Sequence, residues 1–461
     1  MTRIAIVGAG GYVFPLRLIG DLLSFPALQD STLVLMDVDP DRLARTTEAA
    51  RELVRHHALP TNVVSTTDQR EAVRDADFVI ITFQVGGVEA YRHDVEIPRR
   101  YGLDQPVGDT LGPGGVFRFL RSVTAYRTLV SDILELCPGT LCINYANPMA
   151  MATWFLNLAG VRTVGLCHSV QNTSRMLARE LSVPYEEINY ISAGINHQAW
   201  FLRFEHNNLD LYPRLRETMA TRHLTTAPTT EHGHDDGDHS EAAGPSVYEG
   251  GVERVRTELM AKFGYFHTES SHHSSEYVPY FRKNKALIEK YIPQRWDYYE
   301  LCAAHDEQGQ TTDLLERLKE ELAPSLEYGA RIVNSSVTGQ PTVIYGNVTN
   351  SGLIDNLPAG CCVEVPCLVD NNGLQPTVVG PLPPQLAALN QNAINVQRLA
   401  VEAAITSDRE HVYHAVMLDP LTAALLTLDQ IVDMVDELFA AHADSLVWLD
   451  DSRRPANASI S

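Results

Sequence analysis

The strongest constraint on the fold lies near the amino terminus, where a strand, a glycine turn, a helix and a second strand follow one another. Residues 3–7 form a short apolar run, and Gly8-Ala9-Gly10-Gly11 comes directly after it. The amphipathic stretch 15–25 predicts a helix, and the apolar run 32–36 predicts a strand that ends in Asp37. Glycines let the backbone approach a pyrophosphate, and an acid at the end of the second strand can accept hydrogen bonds from ribose hydroxyls. This order predicts an NAD site built from Gly8, Gly10, Gly11 and Asp37.

The third glycine of the usual dinucleotide pattern is missing, because Val13 stands in its place. A tight turn that binds no nucleotide is therefore the alternative to an NAD site. The complete order of strand, turn, helix, strand and acid favours the nucleotide.

Strands and helices continue to alternate as far as His197, which predicts an α/β fold with a doubly wound, mostly parallel sheet. Beyond His197 the alternation fades, and this indicates a change of domain. We expect a Rossmann-like NAD-binding domain over residues 1–195 and an α+β substrate-binding and oligomerisation domain over residues 196–461. Further helices are predicted over residues 42–57, 116–136, 148–158, 171–181, 253–263, 314–334, 384–405 and 427–441, and further strands over 77–83, 140–144, 161–166, 342–345 and 363–368.

Composition excludes several classes of protein. The net charge of −22 argues against a nucleic-acid surface, since phosphate contacts need clustered Lys and Arg. The sequence has no run of eighteen apolar residues that could span a membrane, and its first residues do not resemble a secretion signal. The seven cysteines show no regular framework, which is typical of reduced thiols. These features predict a cytoplasmic protein without membrane or nucleic-acid partners.

A thiol and two imidazoles stand out after the strand predicted over residues 161–166. Cys167 and His168 lie where that strand ends, and open α/β sheets bind ligands at such ends. His197 follows about thirty residues later, and together these side chains offer ligands for a metal ion. The alternative is a buried cysteine with two hydrogen-bonded histidines.

Four other segments have a distinctive composition. The glycine-dense stretch 109–115 is predicted to be a binding loop, with a flexible crossover as the alternative. Residues 225–245 contain His232, His234 and His239 but no apolar period, so a mobile loop is favoured over a metal site. Residues 264–280 form a dense polar and aromatic patch, and residues 450–461 a polar tail that we expect to fray.

Several of these motifs resemble glycoside hydrolase family 4, and the resemblance is closest to its melibiose-type α-galactosidases. It covers nearly the whole chain. The motifs that carry it are Asn147-Pro148-Met149-Ala150-Met151, Gly165-Leu166-Cys167-His168-Ser169-Val170, Ala193-Gly194-Ile195-Asn196-His197, Glu269-Ser270-Ser271 and Tyr345-Gly346-Asn347-Val348, with the stretches 109–115, 353–358 and 361–364.

The resemblance implies an unusual way of cleaving a glycosidic bond. Bound NAD takes a hydride from C3 of the sugar, and the ketone makes the proton on C2 acidic. A base removes that proton, and the glycosidic bond breaks by elimination. Water then adds at C1, and the reduced cofactor returns the hydride. A divalent ion, usually manganese in this family, polarises the C3 oxygen.

The resemblance also implies roles for single residues. Cys167 and His197 would hold the metal, Asn147 would contact the sugar hydroxyls, and Tyr277 would be the base at C2. Tyr280 competes for the base role, because the two tyrosines flank Val278-Pro279. His168 occupies the position where the phospho-glucosidase branch has an acid, and would protonate the leaving group. An orienting role is its alternative.

Two departures from the family pattern bear on ligand contacts. Gly10-Gly11-Tyr12 stands where relatives usually have a glycine followed by Ser-Thr, so a hydroxyl contact to the pyrophosphate is in doubt. His272-His273-Ser274 stands where the galactosidases carry an acid, His and Phe. The second departure could alter which substituents at C4, C5 or C6 are accepted.

The expected activity is hydrolysis of small unphosphorylated α-galactosides by a homodimer or homotetramer that uses NAD and Mn²⁺. An α-glucuronidase or α-galacturonidase of the same family is the first alternative. An NAD-dependent sugar dehydrogenase is the second, and a sensor that binds NAD or sugar without catalysis is the weakest.

Overall fold

The computed structural model describes residues 1–11, 13–224, 253–294, 296–308 and 311–449. Tyr12, the three histidines 232, 234 and 239, and the tail from residue 450 lie outside these ranges. The amino-terminal elements are β1 (Arg3–Val7), α1 (Phe14–Ser24), β2 (Thr32–Met36), α2 (Pro40–His56), β3 (Asn62–Thr66), α3 (Gln69–Val73), β4 (Phe78–Ile81), α4 (Gly87–Arg100), α5 (Gly112–Leu136), β5 (Leu141–Asn144), α6 (Met149–Leu158), β6 (Thr163–Gly165) and α7 (Ser169–Glu180).

These strands form a parallel sheet in the order β3-β2-β1-β4-β5-β6. The order of strand addition reverses at β1, so the carboxyl ends of β1 and β4 border the crevice where such sheets bind ligands. β1 and β4 are almost entirely apolar and buried, as expected for strands covered on both faces. The predicted doubly wound, Rossmann-like sheet is confirmed.

The remaining elements combine antiparallel strands with helices. They are β7 (Ile188–Ile195), β8 (Gln198–His206), β9 (Leu209–Asp210), α8 (Tyr212–Met219), α9 (Arg254–Phe263), β10 (Phe266–His267), α10 (Ser271–Ser274), α11 (Lys285–Tyr291), α12 (Tyr298–Gln308), α13 (Thr311–Glu320), α14 (Tyr328–Thr338), β11 (Thr342–Thr349), β12 (Cys362–Asp370), β13 (Gly373–Pro376), α15 (Pro384–Thr406), α16 (Glu410–Met417), α17 (Pro420–Leu425) and α18 (Leu428–Ala441).

The later strands extend the parallel sheet instead of forming a separate one. From β6 the order continues β11-β12-β7-β8-β10, and every new pairing is antiparallel. Asn347 of β11 lies opposite Gly165 of β6, and Glu364 of β12 lies opposite Gly194 of β7. β11 and β12, which come late in the chain, therefore lie between β6 and β7 in the sheet.

The predicted domain boundary between residues 195 and 196 falls in the turn that joins β7 to β8. Hydrogen bonds of one sheet cross it, and one apolar core contains side chains from both sides, including Ile4 and Val365. The division into two domains stays a prediction.

One predicted helix is wrong. Residues 314–334 do not form a single helix, because α13 ends at Glu320 and α14 begins at Tyr328. The segment between them contains Pro324, which has no N–H to donate and restricts Ala323 before it to extended conformations.

The glycine-dense stretch 109–115 is a loop only in its first half. α5 begins at Gly112, so the remaining glycines lie in the first helical turn.

Across the described ranges, no helix combines the length and the apolar character that crossing a membrane requires.

Candidate active site

The glycine turn after β1 packs tightly against its neighbours. Gly8 has φ +100°, and a Cβ there would lie 2.4 Å from the backbone nitrogen of Phe83. The N–H of Gly10 donates to Asp37 Oδ2 at 2.8 Å, and a Cβ at Gly10 would lie 2.6 Å from the Asp37 carboxyl carbon. Gly11 is less constrained, since its Cβ would meet Pro15 at 3.4 Å. A side chain at Gly8 or Gly10 would therefore clash with neighbouring atoms, so the turn requires glycine at both positions.

This turn fits a dinucleotide. It lies at the carboxyl end of β1 and precedes α1, whose first N–H groups favour an anion. Asp37 follows β2, where an acid can accept hydrogen bonds from ribose hydroxyls. Gly8, Gly10 and Asp37 would hold the pyrophosphate and adenosine side of NAD.

A second group of polar side chains could hold a metal ion. Ligand atoms of Cys167, His197 and Glu269 all lie within 4.8 Å of one another, and all three residues are buried. Cys167 follows β6 by two residues, while His197, with φ +59°, lies in the tight turn between β7 and β8. The two predicted ligands therefore meet although strands β11 and β12 separate the strands that carry them.

Glu269 completes this group, and sequence reasoning gave it no role. Its Oε1 accepts from the N–H of Ser270 at 2.8 Å. Its Oε2 is buried without a hydrogen bond and lies 3.5 Å from His197 Nε2. In the sequence, Glu269 is an acid within the polar and aromatic patch 264–280. That position does not distinguish a metal ligand from a buried structural residue.

The chemistry of this donor set fits a divalent transition metal. Thiolate, imidazole and carboxylate together suit borderline cations, and the buried orphan oxygen of Glu269 offers a ligand atom. Burial, and after it the charges of Glu364 and Glu269, raise the pKa of the Cys167 thiol to about 12. A cation would reverse this, because metal coordination deprotonates a thiol. Cys167, His197 and Glu269 would be the protein ligands.

Tyr277 lies beside the group and is linked to it by hydrogen bonds. Its hydroxyl is 2.8 Å from Thr110 Oγ1, which is 3.0 Å from His273 Nε2, and that atom is 3.0 Å from His197 Nδ1. Burial raises the pKa of Tyr277 well above its ordinary value; the Thr110 hydrogen bond opposes this, while nearby carboxylates add to it. Tyr280 is 44% exposed and packs against Phe263, away from this network.

Asn147 and Asp109 form a hydrogen-bonded pair at the candidate site. Asn147 follows β5 and is joined to Pro148 by a cis peptide bond. Its Nδ2 donates to Asp109 Oδ2 at 2.8 Å. The loop that carries Asp109 is held by Glu276, whose carboxylate accepts from the N–H groups of Val107 and Gly108 at 2.8 and 3.0 Å. Sequence reasoning did not identify this anchoring role of Glu276.

His168, the residue after Cys167, pairs with Glu327. Its Nδ1 lies 2.8 Å from Glu327 Oε1, and its ring stacks on Tyr145. Burial opposes protonation of His168, but the Glu327 carboxylate, together with the charges of Cys167 and Glu269, outweighs burial and raises the pKa of the imidazole to about 9. A cationic His168 at neutral pH is able to donate a proton.

The His168–Glu327 pair should make stability depend on pH. Because the pKa of His168 is raised on folding, its stabilisation is fully present below pH 6.5 and is lost as the pH rises through about 9. The His168 side chain is 37% exposed, so solvent screens the pair. We expect Glu327→Gln to melt about 2 °C below wild type at about pH 6, with a smaller difference at about pH 10. A difference that stays constant across thermal melts in this range would contradict the assignment.

Comparisons with known proteins agree with this geometry. Residues 3–183 match the Family 4 glycosyl hydrolase model, and residues 192–422 match the Family 4 glycosyl hydrolase C-terminal domain. An alpha-galactosidase of Bacillus subtilis (strain 168) is 39% identical over 98% of this chain and 100% of its own length. An alpha-galactosidase of Rhizobium meliloti (strain 1021) is 35% identical over 97% of this chain and 89% of its own length.

A solved structure shares the fold. A 6-phospho-alpha-glucosidase from gut microorganisms, in complex with NAD and Mn²⁺, superposes with a TM-score of 0.75 at 22% identity and covers 96% of this chain and 98% of that one. The family resemblance expected from the motifs is confirmed by the two family models and the two relatives. The chain therefore belongs to glycoside hydrolase family 4 and is a glycosidase.

Proposed function

We propose that this glycosidase is an α-galactosidase, which hydrolyses small unphosphorylated α-galactosides such as melibiose and requires NAD and a divalent ion, Mn²⁺. The observation that carries the mechanism is the buried group of Cys167, His197 and Glu269 on a sheet that also bears the glycine cradle. The galactoside assignment is supported by the two relatives named alpha-galactosidases. The NAD and Mn²⁺ in the related complex support the cofactors.

When bound, NAD supplies reversible hydride transfer at C3 of the sugar, and the metal ion supplies Lewis acidity at the oxygen on that carbon. The chain supplies the remaining groups. Asn147, with Asp109 behind it, would hold the sugar hydroxyls near the metal ligands. Tyr277 would take the proton from C2, and the positive charge of a cation would offset the raised pKa of its phenol.

His168 is proposed as the acid that protonates the leaving group. With a pKa of about 9 it carries the required proton near neutral pH, and Glu327 orients its ring. Its exposed fraction of 37% leaves a path to solvent, from which the proton can be restored.

Two further expectations remain proposals. None of the seven cysteines, all of which lie in described residues, forms a disulfide, and this supports a reducing compartment such as the cytoplasm. A homodimer or homotetramer is kept as the expected assembly, to be measured by light scattering.

Activity should depend on NAD that is not consumed. Protein stripped of nucleotide and metal should lose hydrolysis of p-nitrophenyl α-galactoside and regain it with NAD, Mn²⁺ and a reducing agent, with no lasting rise in NADH absorbance. We expect kcat/KM for p-nitrophenyl α-galactoside to exceed that for the corresponding α-glucoside and α-glucuronide by about tenfold or more.

The same assay separates the alternatives. Preference for the glucuronide, or for a galacturonide added to the panel, would favour a uronidase. Net NADH formation with a simple sugar would favour a dehydrogenase. Full activity in stripped protein would refute the cofactor requirement.

A further inference from the structure

Arg118 of α5 occupies the junction between the nucleotide side and the sugar side of the site. Its Nε donates to the carbonyl of Asn147 at 3.3 Å, and its Nη2 donates to Gln84 Oε1 at 3.1 Å. The guanidinium lies over the ring of Tyr91, with Cζ 4.5 Å from the centroid. Gln84 follows β4 at the nucleotide crevice, and Asn147 follows β5. One buried side chain, 8% exposed, therefore touches both loops.

One donor of this side chain is unused. Arg118 Nη1 is buried and has no hydrogen-bond partner among the described residues. Asp109 Oδ1 is likewise buried without a hydrogen bond, with His273 Nε2 3.9 Å away, while Oδ2 of the same carboxylate accepts from Asn147. Buried polar groups in proteins are almost always satisfied. Arg118 and Asp109 are both hydrogen-bonded to Asn147, so the unused donor and the unused acceptor point to a ligand that supplies both partners. A hydroxyl group can do this, since it donates one proton and accepts through two lone pairs.

Charge decides between a neutral and an acidic ligand. Burial disfavours the charged guanidinium, but the neighbouring acidic groups, Asp109 first and then Tyr91 and Asp94, together outweigh burial and raise the pKa of Arg118. The face of Tyr91 also stabilises the cation. Because Asp109 already balances Arg118, a carboxylate on the ligand would bring uncompensated negative charge into a buried site. The pair therefore suits a sugar hydroxyl better than a uronate.

We propose that Arg118 binds the substrate, donating from Nη1 to a hydroxyl oxygen of the galactosyl ring, and that it favours neutral galactosides over uronides. This inference rests on the proposed function, since it assigns the sugar to the space beside Asn147. It adds a specificity residue that the sequence motifs do not identify.

Arg118→Met keeps the length of the side chain and removes every donor. We expect it to weaken binding of methyl α-galactoside, measured as a competitive inhibitor, about 10- to 100-fold, as for a lost hydrogen bond to a charged group. Affinity for NAD, measured by quenching of protein fluorescence, should stay within about twofold of wild type. If Arg118→Met does not fold, Arg118→Lys, which keeps the charge, replaces it as the test variant.

Deoxy sugars locate the contact. For wild type, the 2-, 4- and 6-deoxy methyl α-galactosides should bind unequally, and Arg118→Met should abolish the penalty for one of them only. Arg127→Met is the matched control, because Arg127 lies on the same helix and over the ring of Trp448, and it donates to the carbonyl of Ala404. It should bind sugar and NAD as wild type does.

Three results would overturn the inference. They are an unchanged sugar affinity in Arg118→Met, persistence of every deoxy penalty in that variant, and a fall in NAD affinity by the same factor as the fall in sugar affinity. If wild type prefers a uronide, the proposed function fails, and the deoxy series built on that uronide still tests whether Arg118 contacts a hydroxyl.

Discussion

Replacing Cys167 with serine is expected to remove the bound metal ion and to lower turnover of an α-galactoside by about a thousandfold or more. Serine keeps the size of the side chain but is a poor ligand for a transition metal at neutral pH, and only His197 and Glu269 would remain. Loss of the ion removes several kcal/mol of charge stabilisation from the reaction. Metal content by mass spectrometry of the native protein and steady-state kinetics measure the two effects together.

Cys137→Ser provides the matched control. Cys137 is also buried, but it follows α5 near the amino ends of the strands, at the edge opposite the site. That variant should keep its metal and its rate. Wild-type metal content in Cys167→Ser would show that the thiol is not a ligand, whereas loss of the ion with full activity would separate the metal from catalysis.

Replacing Tyr277 with phenylalanine is expected to lower cleavage by about 10²- to 10⁴-fold, the usual contribution of a positioned base. Only the hydroxyl bonded to Thr110 is lost, so the buried ring should still pack and NAD should still bind. The direct readout is exchange of the C2 hydrogen of the sugar with solvent deuterium, followed by NMR. Exchange and cleavage should fall together.

Tyr280→Phe is the control for the competing assignment. Its hydroxyl belongs to a side chain that is 44% exposed, so both exchange and cleavage should proceed as in wild type. Normal exchange in Tyr277→Phe together with lost exchange in Tyr280→Phe would transfer the role of base to Tyr280.

Local patterns were sufficient for β1, β2, β4, β5 and β6, but not for β3, whose residues are only partly buried or exposed. Each strand from β1 to β6 that the sequence predicts is a short apolar run, and parallel pairing follows from the alternation with helices. Prediction failed over residues 314–334, where helical periodicity continues across Pro324 and conceals the break. The place of β11 and β12 could not be predicted either. The structure records a single residue pair for β11 with β6 and for β12 with β7, and neither leaves a pattern in the sequence.

The site was only partly predictable for a similar reason. Cys167, His168 and His197 stand out because thiols and imidazoles are common ligands of metal ions and open α/β sheets bind ligands at strand ends. Glu269 joins Cys167 and His197 across about one hundred residues of chain, and His273 reaches Thr110 across more than 160. Such contacts depend on the tertiary fold, so the family resemblance could suggest Tyr277 as the base, but the sequence did not reveal its hydrogen-bond partners.

The separation of β6 from β7 by two later strands has a consequence for how the molecule is made. A growing chain folds from its amino terminus, so the local pairs of β1 to β6 can form while the rest is still being synthesised. The strand that leads to Cys167 and the hairpin that carries His197 are joined through β11 and β12, and residues 342–370 emerge late. Assembly of the proposed metal site therefore waits for most of the chain. A prematurely terminated chain could contain the nucleotide cradle, yet it would lack the arrangement needed to act on a sugar.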